Sequence, residues 1–179
     1  MNILIIYSSH GGVTKRCVDI LKGHLEEHNT VELINAREEE MPSPENYDVV
    51  VVGSSIRLGS MERKIKKYVR AHKEKLLDMP FAVFFCCGRT KRFAEYVETQ
   101  LPRRVVPSLG YHLFGGELKP ERVKGFDKIF VMGMRNAIKS QDFEEDDSNH
   151  DDLPEIIPEN ILLLAKKMKR LPLINFANI

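Results

Sequence analysis

The feature that most constrains the fold is an apolar strand that runs directly into a polar, glycine-containing loop at the start of the chain. Residues 2–7 read NILIIY, a segment too short for a helix and rich in Ile, so we predict a β-strand. The segment is apolar throughout rather than alternating, as expected for a central strand of a parallel sheet covered on both faces. Residues 8–14 then read SSHGGVT, and a helical pattern follows.

The order of strand, Ser/Gly loop and helix is typical of an anion-binding site. The loop and the start of its helix present unpaired backbone N–H groups, the helix dipole favours negative charge, and hydroxyl groups add donors. We therefore predict that this loop binds a phosphate group. On this motif alone, the same residues could equally serve only as helix caps and turn formers. The loop residues are Ser8, Ser9, His10, Gly11, Gly12, Val13 and Thr14.

The spacing within this loop excludes other phosphate-binding classes. It has neither the GxxxxGK[ST] pattern of a Walker loop nor the GxGxxG pattern of dinucleotide-binding folds. It also lacks the acidic cluster that a phospho-accepting receiver domain needs at the end of a strand. The predicted ligand is therefore a phosphate held by backbone amides and hydroxyl groups.

Composition limits the partners and the compartment. A net charge of +1 over 179 residues gives no basis for nucleic-acid binding, so the basic helix face within residues 61–77 is interpreted as solvated surface. No apolar run approaches the roughly 20 residues that a membrane helix needs, and the N-terminus lacks the basic region of a signal peptide. Three cysteines, of which Cys86 and Cys87 are adjacent, make a poor disulfide framework. We predict a cytoplasmic protein with structural thiols.

Two further apolar strands each run into a polar loop. The valine run DVVVVG at residues 48–53 precedes the loop at 54–60, and FAVFFCC at residues 81–87 precedes the loop at 88–92. In open α/β sheets, ligands bind beyond the carboxyl ends of the strands, where the strand order reverses. The three loops are therefore predicted to meet at one edge of the sheet, which strengthens the phosphate-site prediction.

The remaining pattern predicts an α/β protein with a doubly wound parallel sheet and helices on both faces. We expect residues 1–179 to form a single domain. The predicted helices run from Val13 to about His28, from Met61 to Leu77, from Phe93 to Leu101, over residues 126–138 and onwards from Pro158. The further predicted strands are Thr30 to Ile34 and Tyr111 to Leu118. The acidic residues 142–152 are expected to form a solvated loop.

Four motifs together resemble those of the flavodoxin family. They are YSSHGGVT at residues 7–14, YDVVVVGSSIRLG at 47–59, FFCCG at 84–88 and FGGEL at 114–118. The chain also resembles the branch of that family with the quinone-dependent protoporphyrinogen oxidases, which has an extra segment like residues 125–139. The resemblance implies a flavodoxin-like, five-stranded parallel sheet of order 2-1-3-4-5. It also implies flavin mononucleotide (FMN) at the switch between the first and third strands.

The resemblance assigns each loop to a part of FMN. Residues 8–14 take the positions of the phosphate loop. The loop on one side of the isoalloxazine ring contains Ser54, Ser55, Ile56, Arg57, Leu58, Gly59 and Ser60. The loop on the other side contains Cys87, Gly88, Arg89, Thr90 and Lys91. Flavodoxins commonly stack aromatic side chains on the ring, but this chain has no Trp, has Leu58 where an aromatic is expected, and has Phe93 as the ring nearest the last loop.

The resemblance leaves three functions open: an oxidoreductase, an electron carrier and a cofactor-free scaffold. Carriers usually surround the flavin with acidic groups, whereas the ring loops here contain Arg57, Arg89, Lys91 and Arg92 and no Asp or Glu. Cations near the ring favour two-electron chemistry. We therefore predict an FMN-dependent oxidoreductase that exchanges electrons with a redox partner or a quinone-like small molecule, on a substrate that resemblance alone suggests is protoporphyrinogen. We assign no general acid, general base or metal ligand.

The segment at residues 125–139 has two interpretations. Its apolar stripe, which includes Phe130 and Met134, is expected to pack on the body of the domain, as most apolar helix faces do. Alternatively, the segment forms a lid beside the flavin or a surface for peripheral membrane contact. The sequence does not indicate an oligomeric state.

Overall fold

The structure is a computed structural model that describes residues 1–9, 12–88, 90–102, 105–116 and 156–171. The strands are β1 (Asn2–Ser8), β2 (Thr30–Asn35), β3 (Val49–Ser55), β4 (Phe81–Cys86) and β5 (Gly110–Leu113). The helices are α1 (Val13–Leu25), α2 (Arg63–Ala71), α3 (Lys73–Leu77), α4 (Phe93–Gln100) and α5 (Pro158–Lys169), with 3-10 turns at Pro44–Asn46 and Thr90–Arg92. The predicted helix at 126–138 and the acidic segment at 142–152 lie outside these residues.

The five strands form one parallel sheet in the order β2-β1-β3-β4-β5, which confirms the predicted doubly wound topology. In this sheet Ile3 of β1 lies beside Val49 of β3, and Val51 of β3 lies beside Ala82 of β4. The interior strands β1, β3 and β4 are buried along almost their whole length. Continuous apolar runs suit these positions because both faces of the sheet are covered.

Alternate side chains of the strands fill two separate cores. Leu4 and Ile6 of β1 pack on one face with side chains of α2, α3 and α4. Ile3 and Ile5 of the same strand pack on the other face with α1 and α5. The buried side chains that α5 contributes to this second core are Ile161, Leu164, Ala165 and Met168. The period of two along a strand thus places helices on both faces of the sheet.

The helix predicted from Met61 to Leu77 is two helices rather than one. The backbone at His72 leaves the helical conformation, with φ −109° and ψ 20°, and ends α2. Its N–H still donates to the Tyr68 carbonyl at 3.0 Å, and the His72 and Tyr68 rings lie 4.6 Å apart. Helical periodicity continues across His72 in the sequence, so the pattern alone does not indicate the break.

Two other element ends differ from the predicted ones by about three residues or more. Helix α1 ends at Leu25, where the side-chain amide of Asn29 donates to the Leu25 carbonyl at 2.8 Å and satisfies an acceptor that the helix end leaves unpaired. Strand β5 spans only Gly110–Leu113, and Gly115 beyond it has a left-handed φ of 77°. The prediction placed the strand end at Leu118; residues 114–116 lie beyond the end of β5, and residues 117–118 lie outside the described residues.

Gly53 of β3 is required by the packing of an aromatic ring over the sheet. A Cβ atom at this position would lie 1.9 Å from Cε1 and Cζ of Phe84, which belongs to the neighbouring strand β4. The Phe84 ring stacks on Phe114 with a centroid distance of 4.3 Å, and both side chains are fully buried. The absence of a side chain at Gly53 therefore leaves the space that Phe84 occupies.

Buried His112 of β5 makes the stability depend on pH. Its Nε2 lies 3.0 Å from the Leu109 carbonyl oxygen, which also accepts a hydrogen bond from Lys167 Nζ at 3.2 Å. Burial lowers the pKa of His112 from its ordinary value of 6.5, because the protonated ring loses solvation. Below that value the unfolded chain binds more protons than the folded chain. The stabilising contribution is therefore present above the ordinary pKa and is lost as the pH falls.

We expect the free energy of unfolding, measured by urea titration, to decrease as the pH is lowered from about 7 to about 5. The decrease should become smaller in His112→Gln, which removes the titrating ring. His28→Gln is the control because His28 is exposed, so it should leave the pH dependence unchanged. An unaltered pH dependence in His112→Gln would contradict this assignment.

Candidate functional site

The carboxyl ends of β1, β3 and β4 lie side by side at one edge of the sheet. The strand register pairs Ser8 of β1 with Ser54 of β3, and Ser55 of β3 with Cys86 of β4. Because β2 and β3 flank β1 on opposite sides, the strand order reverses between β1 and β3. The loops that follow these three strands therefore begin at one edge, at the switch point of the sheet.

Two hydroxyl groups at the end of β1 are buried without a protein partner. The side-chain oxygens of Ser8 and Ser9 are inaccessible and have no hydrogen-bond partner among the residues that the structure describes. Buried polar atoms are nearly always hydrogen-bonded, so two neighbouring hydroxyl groups without partners indicate a place where a ligand supplies the missing hydrogen bonds. His10 and Gly11, the next two residues of the predicted phosphate loop, lie outside the described residues.

Helix α1 begins beside these hydroxyl groups. Gly12 is its N-cap residue, with a left-handed φ of 82° and no side-chain cap, and its carbonyl accepts from Arg16 N at 3.0 Å. The N–H groups of Val13 and Thr14 belong to the first turn and have no acceptor within the helix. A Cβ atom on Gly12 would meet no atom of the described structure within 4 Å, so the approach to these donors is open. The helix start can therefore receive an anion.

The hydroxyl of Thr14 belongs to the interior rather than to the open side of the loop. Thr14 is buried, and its side chain hydrogen-bonds with the thiol of Cys86. The Cys86 thiol lies 3.7 Å from the sulfur of Cys17, whose thiol lies 3.9 Å from the Phe114 carbonyl oxygen. The contact with Cys17 and burial raise the pKa of Cys86, so its thiol is kept protonated. Thr14 thus ties the phosphate loop to the core.

The adjacent cysteines at the end of β4 face opposite sides of the sheet. Cys86 belongs to the core with α1 and α5, and Cys87 belongs to the core with α2, α3 and α4. All three cysteines of the chain are buried and none forms a disulfide. This arrangement agrees with the interpretation of these thiols as structural.

The loop after β3 is a tight turn braced by the residues around it. Arg57 and Ser60 exchange two backbone hydrogen bonds of 2.9 Å each, with Leu58 and Gly59 between them. The hydroxyl of Ser54 donates to the Ser55 carbonyl at 2.9 Å and accepts from Glu62 N at 3.0 Å. The Ser54 side chain, predicted as a cofactor contact, is thus engaged in holding the two ends of the loop together.

A cavity of about 400 Å³ lies between this loop and the loop after β4. Its lining residues are Ile56, Leu58, Gly59, Cys87, Gly88, Arg92 and Tyr96. Five of these were predicted as cofactor contacts, and they come from both of the predicted ring loops. Thr90 begins the short 3-10 turn before α4, and Arg89 lies outside the described residues. A volume of this size is within the range of small-molecule sites, roughly 300–1,000 Å³.

The cavity includes an aromatic ring that was not among the predicted site residues. Tyr96 of α4 is buried and lines the cavity, whereas Phe93, which was expected to be the nearest ring, packs edge-on against Phe85 at 6.2 Å. The guanidinium of Arg92 lies 5.8 Å from the centre of the Tyr96 ring. The spacing of apolar residues in α4 is consistent with a buried face that includes Tyr96. That face packs against the core and also forms part of the cavity wall.

Arg92 is also paired with an acidic residue. Its guanidinium donates to both carboxylate oxygens of Glu95, at 2.6 and 2.5 Å, and this ion pair lowers the pKa of Glu95. The charge of Arg92 near the cavity is therefore partly balanced. Arg57 and Lys91 are the other described cations of the two ring loops.

Neither a metal centre nor a membrane span is found in the described part of the chain. No group of three or more His, Cys, Asp or Glu side chains there could hold a metal ion. The described helices are also too short or too polar to cross a membrane. The described part of the site is built from hydroxyl groups, backbone amides and a cavity with both apolar and polar lining residues.

A doubly wound sheet of order 2-1-3-4-5, with an anion-binding loop after β1 and a cavity between the next two loops, defines a flavodoxin-like protein. The sequence profile of the family described as "Flavodoxin domain" matches residues 4–146. The chain belongs to this family.

Similar proteins include enzymes and flavodoxins. Over 85 residues the chain is 34% identical to the protoporphyrinogen IX dehydrogenases [quinone] of Escherichia coli K12 and O157:H7. The match covers 47% of this chain and 47% of each relative, so the chain spans about half the length of the curated relatives it matches. Oxidised flavodoxin 1 from Bacillus cereus is 17% identical with a TM-score of 0.49, over 74% of this chain and 91% of that one. A Fusobacterium nucleatum flavodoxin bound to flavin mononucleotide is 16% identical, with a TM-score of 0.37 over 52% and 53%.

FMN is the cofactor of this family, which confirms the predicted cofactor, and the described residues fit it. The unpaired hydroxyl groups of Ser8 and Ser9 and the free N–H groups at the start of α1 would hold the phosphate, which is dianionic near neutral pH. The cavity with Ile56, Leu58 and Tyr96 in its wall offers apolar surface to a flat ring. Phosphate donors and ring surface therefore lie at the same edge of the sheet.

Proposed function

We propose that this chain is a single flavodoxin-like domain that acts as an FMN-dependent oxidoreductase. It would pass electrons between a reduced small organic substrate, such as a porphyrinogen, and a quinone-like acceptor. The observation that carries the proposal is the cavity between the loops after β3 and β4, whose described lining includes the side chains of Ile56, Leu58 and Tyr96 and no carboxylate. The relatives named as quinone-dependent protoporphyrinogen dehydrogenases support the same reaction class.

In this proposal the chain binds and orients the cofactor, and the electron transfer is the chemistry that FMN supplies when bound. The loop at residues 8–14 would fix the phosphate end. Ile56 and Leu58 would exclude water from one side of the cavity, and Tyr96 would form part of its inner wall. No described side chain is assigned as a general acid or base.

The charges around the cavity favour an enzyme over a one-electron carrier. A carrier that stabilises a reducing flavin needs negative charge near the ring, whereas Arg57 and Lys91 flank this site and Glu95 is already paired with Arg92. Exposed ion pairs contribute little energy, so the sign of the surrounding charge matters more than its size. A carrier function remains the second candidate, because a flavodoxin fold serves both roles.

The proposal predicts FMN-dependent reduction of a quinone by the purified protein. FMN added to the cofactor-free protein should lose its fluorescence on binding, and the complex should oxidise a porphyrinogen under anaerobic conditions only when a soluble quinone analogue is present. Product formation is followed by porphyrin fluorescence. Reaction mixtures with free FMN and no protein provide the control.

Other outcomes would identify the rival functions. Bound FMN with reduction of a one-electron protein acceptor, but no quinone reduction, would indicate a carrier. Failure to bind FMN at all would indicate a cofactor-free scaffold. Retention on anionic lipid vesicles would support a peripheral membrane contact, to which the segment at residues 125–139, outside the described residues, is proposed to contribute.

A further inference from the structure

Leu58 has a backbone conformation that leucine rarely adopts. Its φ of 49° is the only positive value at a non-glycine residue in the described part of the chain. It is followed by Gly59 with φ 74°, and two consecutive positive φ values are typical of a type I′ turn, where Asn-Gly is the preferred pair. A left-handed conformation is unfavourable for a branched side chain, so the surrounding structure must maintain it.

The strained residue presents an apolar side chain to solvent at the cavity. Leu58 is 87% exposed and is one of the residues that line the cavity. An exposed leucine in an unfavourable conformation stabilises neither the core nor the turn. Strain of this kind is concentrated at functional sites, where a particular side-chain position is needed.

Gln100, the last residue of α4, holds this turn through two direct hydrogen bonds. Its Oε1 accepts from the N–H of Met61 at 3.0 Å, and its Nε2 donates to the Gly59 carbonyl at 3.0 Å. Gln100 is only 6% exposed, so both bonds are shielded from water. The two ends of one side-chain amide thus fix the peptide groups on the C-terminal side of Leu58.

The same helix also contributes to the cavity wall. Tyr96 lines the cavity and precedes Gln100 by one helical turn, so the two side chains project from the same face of α4. The cavity wall and the hydrogen bonds to the turn are therefore parts of one rigid element. The additional bond from Gln100 Nε2 to Thr99 Oγ1 at 2.9 Å remains within α4 and does not reach the turn.

We propose that Gln100 is a positioning residue for the FMN site. By fixing Gly59 and Met61, it keeps Leu58 in its left-handed conformation and holds the Leu58 side chain at the wall of the cavity that would receive the flavin ring. This inference rests on the proposed FMN site, but the positioning of the turn can be measured without the cofactor.

The first test is Gln100→Met, which has a similar volume and makes neither hydrogen bond. In the cofactor-free protein we expect faster hydrogen exchange at the amides of Ser60 and Met61. The dissociation constant for FMN should increase about tenfold, as expected for the loss of two shielded hydrogen bonds. Thr99→Ala is the matched control because it removes the neighbouring bond within α4, and it should change neither measurement.

The second test separates positioning of Leu58 from a general structural effect. Asn tolerates the left-handed conformation, so in a Leu58→Asn background the turn no longer depends on Gln100 to the same extent. There, Gln100→Met should increase the dissociation constant for FMN by only about twofold. The same tenfold increase in both backgrounds, or unchanged exchange at Met61, would overturn the proposal.

Failure of the proposed function would be recognised separately. If the wild-type protein did not bind FMN, the proposed function would be wrong, while hydrogen exchange in the cofactor-free variants would still decide whether Gln100 holds the turn. If Gln100→Met did not fold, Gln100→Glu would replace it, since its carboxylate can accept from Met61 N but cannot donate to Gly59 O when ionised. In Gln100→Glu, hydrogen exchange at the Met61 amide should therefore not become faster. Weaker FMN binding together with a more flexible turn at Gly59 would support the proposal. Unchanged FMN binding would overturn it.

Discussion

Replacing Gly12 by Asp should weaken FMN binding by at least about 100-fold while leaving the protein folded. The new carboxylate would lie at the start of α1, where it would compete with the FMN phosphate for the same N–H donors and repel it. Unit charges about 4 Å apart interact by roughly 4 kcal/mol near a protein surface, and a hundredfold change in affinity needs about 2.7 kcal/mol. Titration followed by flavin fluorescence measures the effect.

Gly12→Asn is the matched control because it has the same shape without the charge. Both residues tolerate a left-handed backbone better than other side chains do, and the space next to Gly12 is open. The Asn variant should bind FMN within a few-fold of wild type. Riboflavin, which has no phosphate, should bind the wild-type and Asp proteins with similar affinity. Equal FMN affinity in the Asp and Asn variants would show that the phosphate lies elsewhere.

Replacing Gly53 by Ala should destabilise the cofactor-free protein by about 3 kcal/mol, the upper end of the usual range for overpacking a core. The added methyl group would overlap the ring of Phe84, which cannot move away because it stacks on Phe114. Urea unfolding gives the free energy change. Gly23→Ala in α1 is the control, since a Cβ there meets no atom of the described structure within 4 Å, and it should stabilise by about 0.5–1 kcal/mol.

A double substitution tests the cause. Phe84→Leu shortens the side chain that faces Gly53, so Gly53→Ala should cost much less in that background than alone, and the two free energies should not add. Additive effects would show that the overlap with Phe84 is not the source of the instability.

The strands and their topology were largely predictable from the sequence. Burial on both faces requires continuous apolar runs, and β1, β3 and β4 show them as NILIIY, VVVV and FAVFFC. The strand order followed from the family resemblance rather than from the runs themselves. The break at His72 and the early end of β5 were missed because apolar spacing continues past both points, and neither a ring contact nor a left-handed glycine changes that spacing.

The loops were located correctly, but the roles of single side chains within them were less predictable. The Ser54 hydroxyl accepts a hydrogen bond from the Glu62 N–H, and the Thr14 side chain hydrogen-bonds with the Cys86 thiol. Both contacts depend on how segments that are distant in sequence pack together. Gln100 reaches Gly59 across 41 positions of sequence. The sequence did hold one indication of this role: Gln100 lies one helical turn after Tyr96, on the apolar side of a short helix. A side-chain amide buried there needs hydrogen-bond partners.

The second core also has a consequence for synthesis of the chain. Its wall is built from α1, near the start of the sequence, and α5, whose buried residues extend to Met168. While the ribosome is still translating the preceding residues, Ile3, Ile5 and Phe84 lack the side chains of α5 that pack on the finished sheet. The nascent chain therefore exposes this apolar face until α5 has been translated, and the docking of α5 covers it.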